Sequence, residues 1–249
     1  KERLSILRKY MNEKNIDAYI IPSSDSHQSE YVGEYFKSRA YISGFTGSAG
    51  TLVVTMEEAG LWTDGRYFIQ AENQLKNTGI KLFKMGEEGV PTTKEYLCDK
   101  MANNSTLGFD GRLISANEGK ALQEALKDKN INIKYEYDLV DKVWEDRPLL
   151  STEKAFLLDE KYAGETFSSK LIRLRNEMKI KSATTHIITT LDDIAWLFNI
   201  RGRDVKYTPV VLSYSLITVD KVYLFIDDNT LSVYMKRLRT KLGEDAACI

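Results

Sequence analysis

Two stretches of this sequence set out the same elements in the same order, and a chain that repeats a pattern in this way folds as two related units, each with its own core. In the first stretch Leu4, Leu7 and Met11 recur at helical spacing, and Ala18-Tyr19-Ile20-Ile21-Pro22 follows as a short apolar strand stopped by proline. In the second, Phe167, Leu171, Leu174 and Met178 mark a helix and Thr185-His186-Ile187-Ile188 a strand. A hairpin comes next in both. The first runs from Leu52-Val53-Val54 through the charged turn Glu57-Glu58 to Leu61-Trp62-Thr63, the second from Leu216-Ile217-Thr218-Val219 to Val222-Tyr223-Leu224-Phe225-Ile226-Asp227. Ala18-Tyr19-Ile20-Ile21 thus matches Thr185-His186-Ile187-Ile188, and Leu61-Trp62-Thr63-Asp64 matches Leu224-Phe225-Ile226-Asp227, at nearly equal offsets.

The first copy carries more. Phe68, Ala71 and Leu75 return to helical spacing after Asp64-Gly65-Arg66. Thr92-x-x-Glu95 and Ser115-x-x-Glu118 are capping-box patterns that open helices carrying Tyr96, Leu97, Met101 and then Leu122, Leu126. Leu107-Gly108-Phe109-Asp110 and Ile131-Asn132-Ile133 alternate as short strands. The second copy is incomplete: after Ile226 there is room for one helix, with Val233, Leu238 and Leu242, and Ala246-Ala247-Cys248-Ile249 reads as the opening of another strand. The first residue is not Met, and the expectation is a chain trimmed at both ends from a longer one. The expected division is a first α/β domain over residues 1–142, a linker over 143–165 that holds Arg147-Pro148 and Gly164, and a second domain over 166–249.

Composition narrows the partners. Apolar residues make up 43% and charged residues 29%, a globular balance. Thirty-five basic residues against thirty-six acidic ones leave a formal charge of -1, so no overall field draws the molecule to phosphate backbones or anionic lipid, and nucleic acid and membrane are not expected partners. No apolar run approaches the ~18–20 residues of a membrane span. Cys98 and Cys248 lie far apart with no CxxC spacing, which fits a reducing cytoplasm better than a disulfide framework.

Chemistry-bearing motifs are sparse. The two histidines, His27 and His186, stand in no paired spacing; His186 reads as a satisfied sheet residue and His27 as a surface or capping residue of a polar loop. There is no GxSxG elbow and no GxxxxGK[ST] loop. The series Gly44-Phe45-Thr46-Gly47-Ser48-Ala49-Gly50 leads into a strand rather than a helix, so tight turning is its expected role rather than anion binding. Asp192 and Asp193 precede Ile194, Trp196 and Leu197 where acids commonly start a helix, and are read as caps. The segment Trp62-Thr63-Asp64-Gly65-Arg66-Tyr67-Phe68 is richer, packing an acid, a glycine, a forked cation and two aromatics at one strand end. Arg66 can grip a carboxylate or a carbonyl there, or simply pair with Asp64 as a turn element.

Taken in order, these motifs resemble the cytosolic three-domain aminopeptidase P family. The residues that carry the resemblance are Ala18 to Ser23 with Asp25 and His27-Gln28-Ser29-Glu30-Tyr31, Ser43-Gly44-Phe45 with Gly47 to Thr51, and Trp62 to Phe68. Val140-Asp141-Lys142-Val143-Trp144 before Asp146-Arg147-Pro148, and the run from Leu191 to Gly202, agree with it. The resemblance implies two tandem creatinase/prolidase amino-terminal-type domains, each a mixed sheet flanked by helices, ahead of a pita-bread catalytic domain that this chain lacks. It implies that the full-length protein is a metallopeptidase in which two manganese ions activate a water against the Xaa-Pro bond, removing the residue ahead of proline. On that reading the chain alone is inactive and holds no metal ligand or catalytic residue. Its contribution is to substrate access and assembly. The implied partners are peptides with proline second, the chain's own catalytic domain and, at full length, a second copy. Arg66 occupies the position from which an arginine of that family contacts bound peptide. Two other readings are a peptide-binding or assembly module that has lost the metal ligands, and a prolidase, whose usual single amino-terminal domain fits the duplicated unit less well.

Overall fold

The computed structural model describes residues 1–227, 230 and 246–248; the helix expected to carry Val233, Leu238 and Leu242 lies outside the described residues. The chain divides into two compact units, Lys1–Pro148 and Leu149–Ile249.

In the first unit, α1 (Glu2–Glu13) turns Leu4, Leu7 and Met11 inward and leads to β1 (Ala18–Pro22). There follow α2 (Ser38–Ser43), the hairpin of β2 (Thr51–Thr55) and β3 (Ala59–Thr63), α3 (Phe68–Gln74) and β4 (Lys81–Lys84). The remaining elements are α4 (Thr93–Lys100), β5 (Thr106–Phe109), α5 (Ala116–Ala125), β6 (Asn132–Lys134) and α6 (Leu139–Val143). The six strands form one mixed sheet in the order β4-β3-β2-β1-β5-β6, antiparallel across β1, β2 and β3 and parallel elsewhere. Both faces are covered. Tyr19, Ile21, Leu52, Val54 and Leu61 meet α1, α3 and α6 on one side, while Ile20, Val53, Trp62 and Phe83 meet Tyr96, Leu97 and Leu122 of α4 and α5 on the other. That is why β1 and β3 read as nearly continuous apolar runs rather than as alternating strands. Thr92 forms the reciprocal capping box with Glu95, and the Ser115 side chain accepts the Glu118 N–H.

In the second unit, β7 (Phe156–Leu157) and α7 (Glu160–Ala163) precede α8 (Phe167–Ile180), β8 (Thr185–Ile188), α9 (Leu191–Phe198) and β9 (Ile200–Arg201). Then come β10 (Ser213–Thr218), β11 (Val222–Ile226) and β12 (Ala246–Cys248), the strand expected near the carboxyl end. The main sheet runs β12-β11-β10-β8, and β7 pairs with β9 apart from it. Its core gathers Ile188, Ile217, Val222 and Leu224 with Ile194, Leu197 and Phe198 of α9. Lys170 of α8, 2% exposed, donates from Nζ to the Trp196 carbonyl at 2.7 Å and to Asn199 Oδ1 at 2.6 Å, satisfying acceptors at the end of α9.

The duplication holds in register. In the first sheet Ile20 faces Val53, Val53 faces Gly60 and Gly60 faces Lys81; in the second Ile187 faces Leu216, Leu216 faces Tyr223 and Tyr223 faces Ala247. The directions also agree, two antiparallel pairings followed by a parallel one.

The elements just described differ from the sequence reading in several places. The stretch read as a linker holds the end of α6, then β7 and α7, and Trp144 stacks on Tyr41 with centroids 4.4 Å apart. These elements are two to five residues long, too short for a periodicity to show. The strand β4, which contributes Phe83 to the core, has four residues with a lysine at each end, Lys81-Leu82-Phe83-Lys84, and gives no long apolar run. His186, expected as a satisfied sheet histidine, lies in β8 but is exposed.

Candidate functional site

A concavity of about 370 Å³ in the first unit is lined by the loop after β1, the glycine-rich turn before β2, the turn after β3 and the start of α5. Ser24, Gln28, Glu30, Ser48, Arg66 and Glu118 supply its polar lining. Ile20, Leu113 and Leu122 are among its apolar residues.

The turn that carries Arg66 is built on Asp64. Its Oδ1 accepts the Arg66 backbone N–H at 3.1 Å and Nε at 2.9 Å, and its Oδ2 accepts Nη2 at 2.8 Å. This side-on fork uses one edge of the guanidinium; Nη1 makes no hydrogen bond among the described residues. The bonds from Arg66 hold the Asp64 carboxyl below its ordinary range, and the same pairing raises the Arg66 guanidinium, so the pair stays charged at neutral pH. With its side chain 62% exposed, Arg66 is a fixed cation that solvent or a ligand can reach. Both sequence readings of this residue therefore have a geometric basis: it pairs with Asp64, and it keeps an unused donor beside a cavity.

The surrounding turns are held from beneath by Arg39, which sequence reasoning missed. Only 5% exposed, it donates from Nε to Ser23 Oγ at 2.8 Å, from Nη1 to the Phe45 carbonyl at 2.6 Å and from Nη2 to the Gly47 carbonyl. Burial pushes its guanidinium down to about 10, which leaves it charged at neutral pH. Gly47 packs so closely that an added Cβ would fall 2.3 Å from the Phe45 ring and 2.8 Å from Tyr67. The glycine series thus serves a tight turn, as its lead into a strand implies. A single arginine in helix α2 gave no sequence signal, because its role depends on carbonyls six and eight residues away.

Across the cavity, Asp25 is fully buried and shapes the loop that bears Gln28 and Glu30. Its Oδ1 accepts the backbone N–H groups of His27 and Ser29, both at 2.9 Å. Burial works to raise this carboxyl, but the bonds from His27 and Ser29 outweigh it and leave it below the ordinary range. His27, expected at the surface or as a cap, instead has a side chain only 4% exposed, with Nδ1 3.7 Å from Asp25 Oδ2; the buried carboxylate draws it in. In the second unit Asp192 and Asp193, read as caps, lie one turn inside: Thr190 is the N-cap of α9, the two acids sit in its first turn, and Thr190 Oγ1 donates to Asp193 Oδ2 at 2.7 Å.

His27 and His186 belong to different units, and among the described residues no three His, Cys, Asp or Glu side chains gather as a metal-ligand group. The described residues do not fit the dinuclear manganese centre that the resemblance implies for a full-length protein, and no chemical step is assigned to them. Among the described residues no helix is long and apolar enough to cross a membrane.

A mixed sheet that runs from a helix through an antiparallel hairpin, occurring twice in one register with a polar cavity at the strand ends of the first copy, defines a class of tandem α/β modules. The chain belongs to the creatinase/prolidase N-terminal domain family: the family model matches residues 3–143, and a second model of the same description matches residues 146–247. Among relatives, aminopeptidase P2 of Arabidopsis thaliana is 45% identical over 240 residues, 94% of this chain and 34% of that protein. A probable Xaa-Pro aminopeptidase P of Talaromyces stipitatus is 45% identical over 246 residues, 98% of this chain and 37% of its own length. Among solved structures, the X-prolyl aminopeptidase of Caenorhabditis elegans, described as a cytosolic enzyme with a di-nuclear active site, superposes with a TM-score of 0.92 at 35% identity, covering 99% of this chain and 42% of that one. The chain thus spans between about a third and two fifths of the length of these proteins.

Proposed function

We propose that this chain is the non-catalytic amino-terminal part of a cytoplasmic Xaa-Pro aminopeptidase, whose full-length form releases the residue ahead of proline with a pair of manganese ions held outside these residues. The observation that carries the reading is the likeness over 99% of the chain, at 35% identity, to an X-prolyl aminopeptidase of which it covers 42%. The metal pair would supply the activated water when bound. The present residues supply binding and position. Arg66, with one edge of its fork held by Asp64 and Nη1 left over, offers a charge-assisted donor to a peptide carbonyl or carboxylate. Assembly as a homodimer and contact with its own catalytic domain belong to the same proposal.

The test is steady-state kinetics of the full-length polypeptide on peptides with proline second. Activity that disappears on chelation and returns with manganese supports the enzyme; a purified, folded, metal-loaded protein without Xaa-Pro cleavage overturns it. For Arg66→Ala the expected loss in kcat/KM is about ten- to a hundredfold, the worth of one charge-assisted contact, with Arg66→Lys only partly restored because it keeps the charge and loses the fork. Unaltered kinetics in a folded Arg66→Ala protein would leave that residue as a turn element only.

A further inference from the structure

The pairing of Arg66 with Asp64 does not by itself fix the guanidinium in place. The two side chains are 62% and 37% exposed, and solvent competes for an ion pair so placed. A further hold is aromatic. Arg66 Cζ lies 5.3 Å from the centre of the Tyr67 ring, within the ~6 Å reach of a cation–π contact. A ring steadies the cation without neutralising it, so the charge stays available to a ligand. The ring is itself held on several sides. Tyr67 Oη and Ser48 Oγ share a hydrogen bond at 2.7 Å. Phe45 meets the ring edge-on with centroids 5.9 Å apart, and Gly47 passes so close that no side chain fits between them.

Ser48 belongs to the glycine-rich turn before β2 and Tyr67 to the turn after β3, so their bond ties two turns together at one end of the hairpin. The fully buried Thr63 adds a second tie, its Oγ1 donating to the Ala49 carbonyl at 2.7 Å. The glycine-rich turn is anchored in its turn by Arg39, through the Phe45 and Gly47 carbonyls and by a guanidinium 4.8 Å from the centre of the Phe45 ring. A continuous run of contacts thus leads from the buried Arg39 through Ser48 and Tyr67 to Arg66. Ser48 and Arg66 line the cavity, whereas Tyr67 is not among its lining residues. We propose that Tyr67 is a positioning residue for Arg66: its hydroxyl, tied to Ser48, keeps the ring against the guanidinium, so that a ligand meets Arg66 already in one place on the cavity rim. A donor fixed beforehand spares the ligand the cost of ordering it. Tyr67 has this role only if Arg66 contacts peptide as proposed above, and its hydroxyl then serves binding solely through Arg66.

The test is a double-mutant cycle in the full-length polypeptide. The dissociation constant of a peptide with proline second is measured by calorimetry after chelation of the metal, so that no turnover intervenes, and kcat/KM is measured on the manganese-loaded protein. Tyr67→Phe keeps the ring and removes the hydroxyl. The expected loss of affinity is about three- to tenfold, the worth of one hydrogen bond. Ser48→Ala should cause the same loss, with little more when the two are combined. In an Arg66→Ala background, Tyr67→Phe should change affinity by no more than about twofold, the scatter expected of independent sites. Unchanged affinity in Tyr67→Phe, or an equal loss with arginine and with alanine at position 66, overturns the proposal, because a general loosening of the fold would act whether or not Arg66 is present. Should Tyr67→Phe fail to fold, Ser48→Ala carries the same cycle. If Arg66→Ala itself leaves affinity unchanged, the peptide contact at Arg66 fails and the role of Tyr67 fails with it. Peptide binding without Xaa-Pro cleavage by the metal-loaded protein sinks the peptidase alone, and the binding cycle still decides the role of Tyr67.

Discussion

Arg147 sits in a stretch that reads as a linker, and replacing it should cost as much as replacing a core residue. Its side chain is 5% exposed. Nε donates to the Tyr35 carbonyl at 3.0 Å, Nη1 to Asp138 Oδ2 at 2.7 Å and Nη2 to Ser38 Oγ at 3.1 Å. The guanidinium also lies 3.9 Å from the centre of the Tyr35 ring. Breaking a buried, hydrogen-bonded charge pair from one side typically costs ~3–5 kcal/mol. Asp138 keeps Arg112 at 2.8 Å and is 15% exposed, so it is not stranded, which points to the lower end. For Arg147→Met, which retains the packing of the aliphatic stem, we expect a loss of about 3 kcal/mol, equivalent to a fall in the melting temperature of about 6–12 °C for a unit of this size. The measurement is urea and thermal unfolding followed by tryptophan fluorescence, with Trp62 and Trp144 reporting on the first unit and Trp196 on the second. Arg147→Lys should recover part of the loss, because it keeps the charge without the fork. A true linker position would change stability by no more than about 0.5 kcal/mol, and that result for Arg147→Met would refute the reasoning.

Gly60 faces the stacked rings of Trp62 and Phe83, and an added Cβ would meet them at 2.7 and 2.6 Å; Gly60→Ala should destabilise the first unit by about 1–3 kcal/mol in the same unfolding assay, and a neutral result would mean the rings yield freely. Two carboxylates should act oppositely on the acid limb of stability. The Asp25 carboxyl is depressed below 3.8, so its contribution is present above that pH and lost as pH falls through its folded value; Asp25→Asn should flatten the acid limb of the first unit. Burial raises Asp204 above 3.8, so its contribution is full below 3.8 and lost as pH rises through the raised value. Asp204→Asn should therefore gain on the unsubstituted protein as pH rises from below 3.8 to neutrality, and a constant difference across that range would show that Asp204 does not titrate abnormally.

The fold was legible where long-range packing and local pattern agree. Leu4, Leu7 and Met11 announce α1, and Thr92-x-x-Glu95 announces α4, because each signal lies within a few residues and each is used as it reads. The repeat was legible because apolar residues recur at several matching register positions, Val53 with Leu216, Leu61 with Leu224 and Trp62 with Phe225, and a one-residue change of pairing would turn each to the opposite face. Short elements were not. Leu139, Val140 and Val143 are buried against α1, yet five residues of helix carry barely one turn of pattern. The site divides in the same way. Arg66 stood out because acid, glycine and cation adjoin in sequence, whereas Arg39, Asp25 and the side chain of His27 earn their places from contacts that only folding brings together.

The chain also contains its own comparison for Arg66. Asp110-Gly111-Arg112, at the end of β5, forms the same turn as Asp64-Gly65-Arg66 at the end of β3. Asp110 Oδ1 accepts the Arg112 backbone N–H and Nε, both at 3.0 Å, and Oδ2 accepts Nη2 at 2.7 Å. The forked Asp-Arg pair is therefore a device for closing a strand end, and its occurrence at Arg66 is by itself no sign of function. What distinguishes the two is a second acid. Arg112 Nη2 reaches on to Asp138 at 2.8 Å, an acid that Arg147 also holds, so this arginine is tied to two carboxylates. Among the described residues Arg66 has no second acid partner in contact, and it lies beside the 370 Å³ cavity. The same three residue types thus tie one arginine to two acids and the other to one, and it is that single pairing, rather than the motif, that supports a ligand at Arg66.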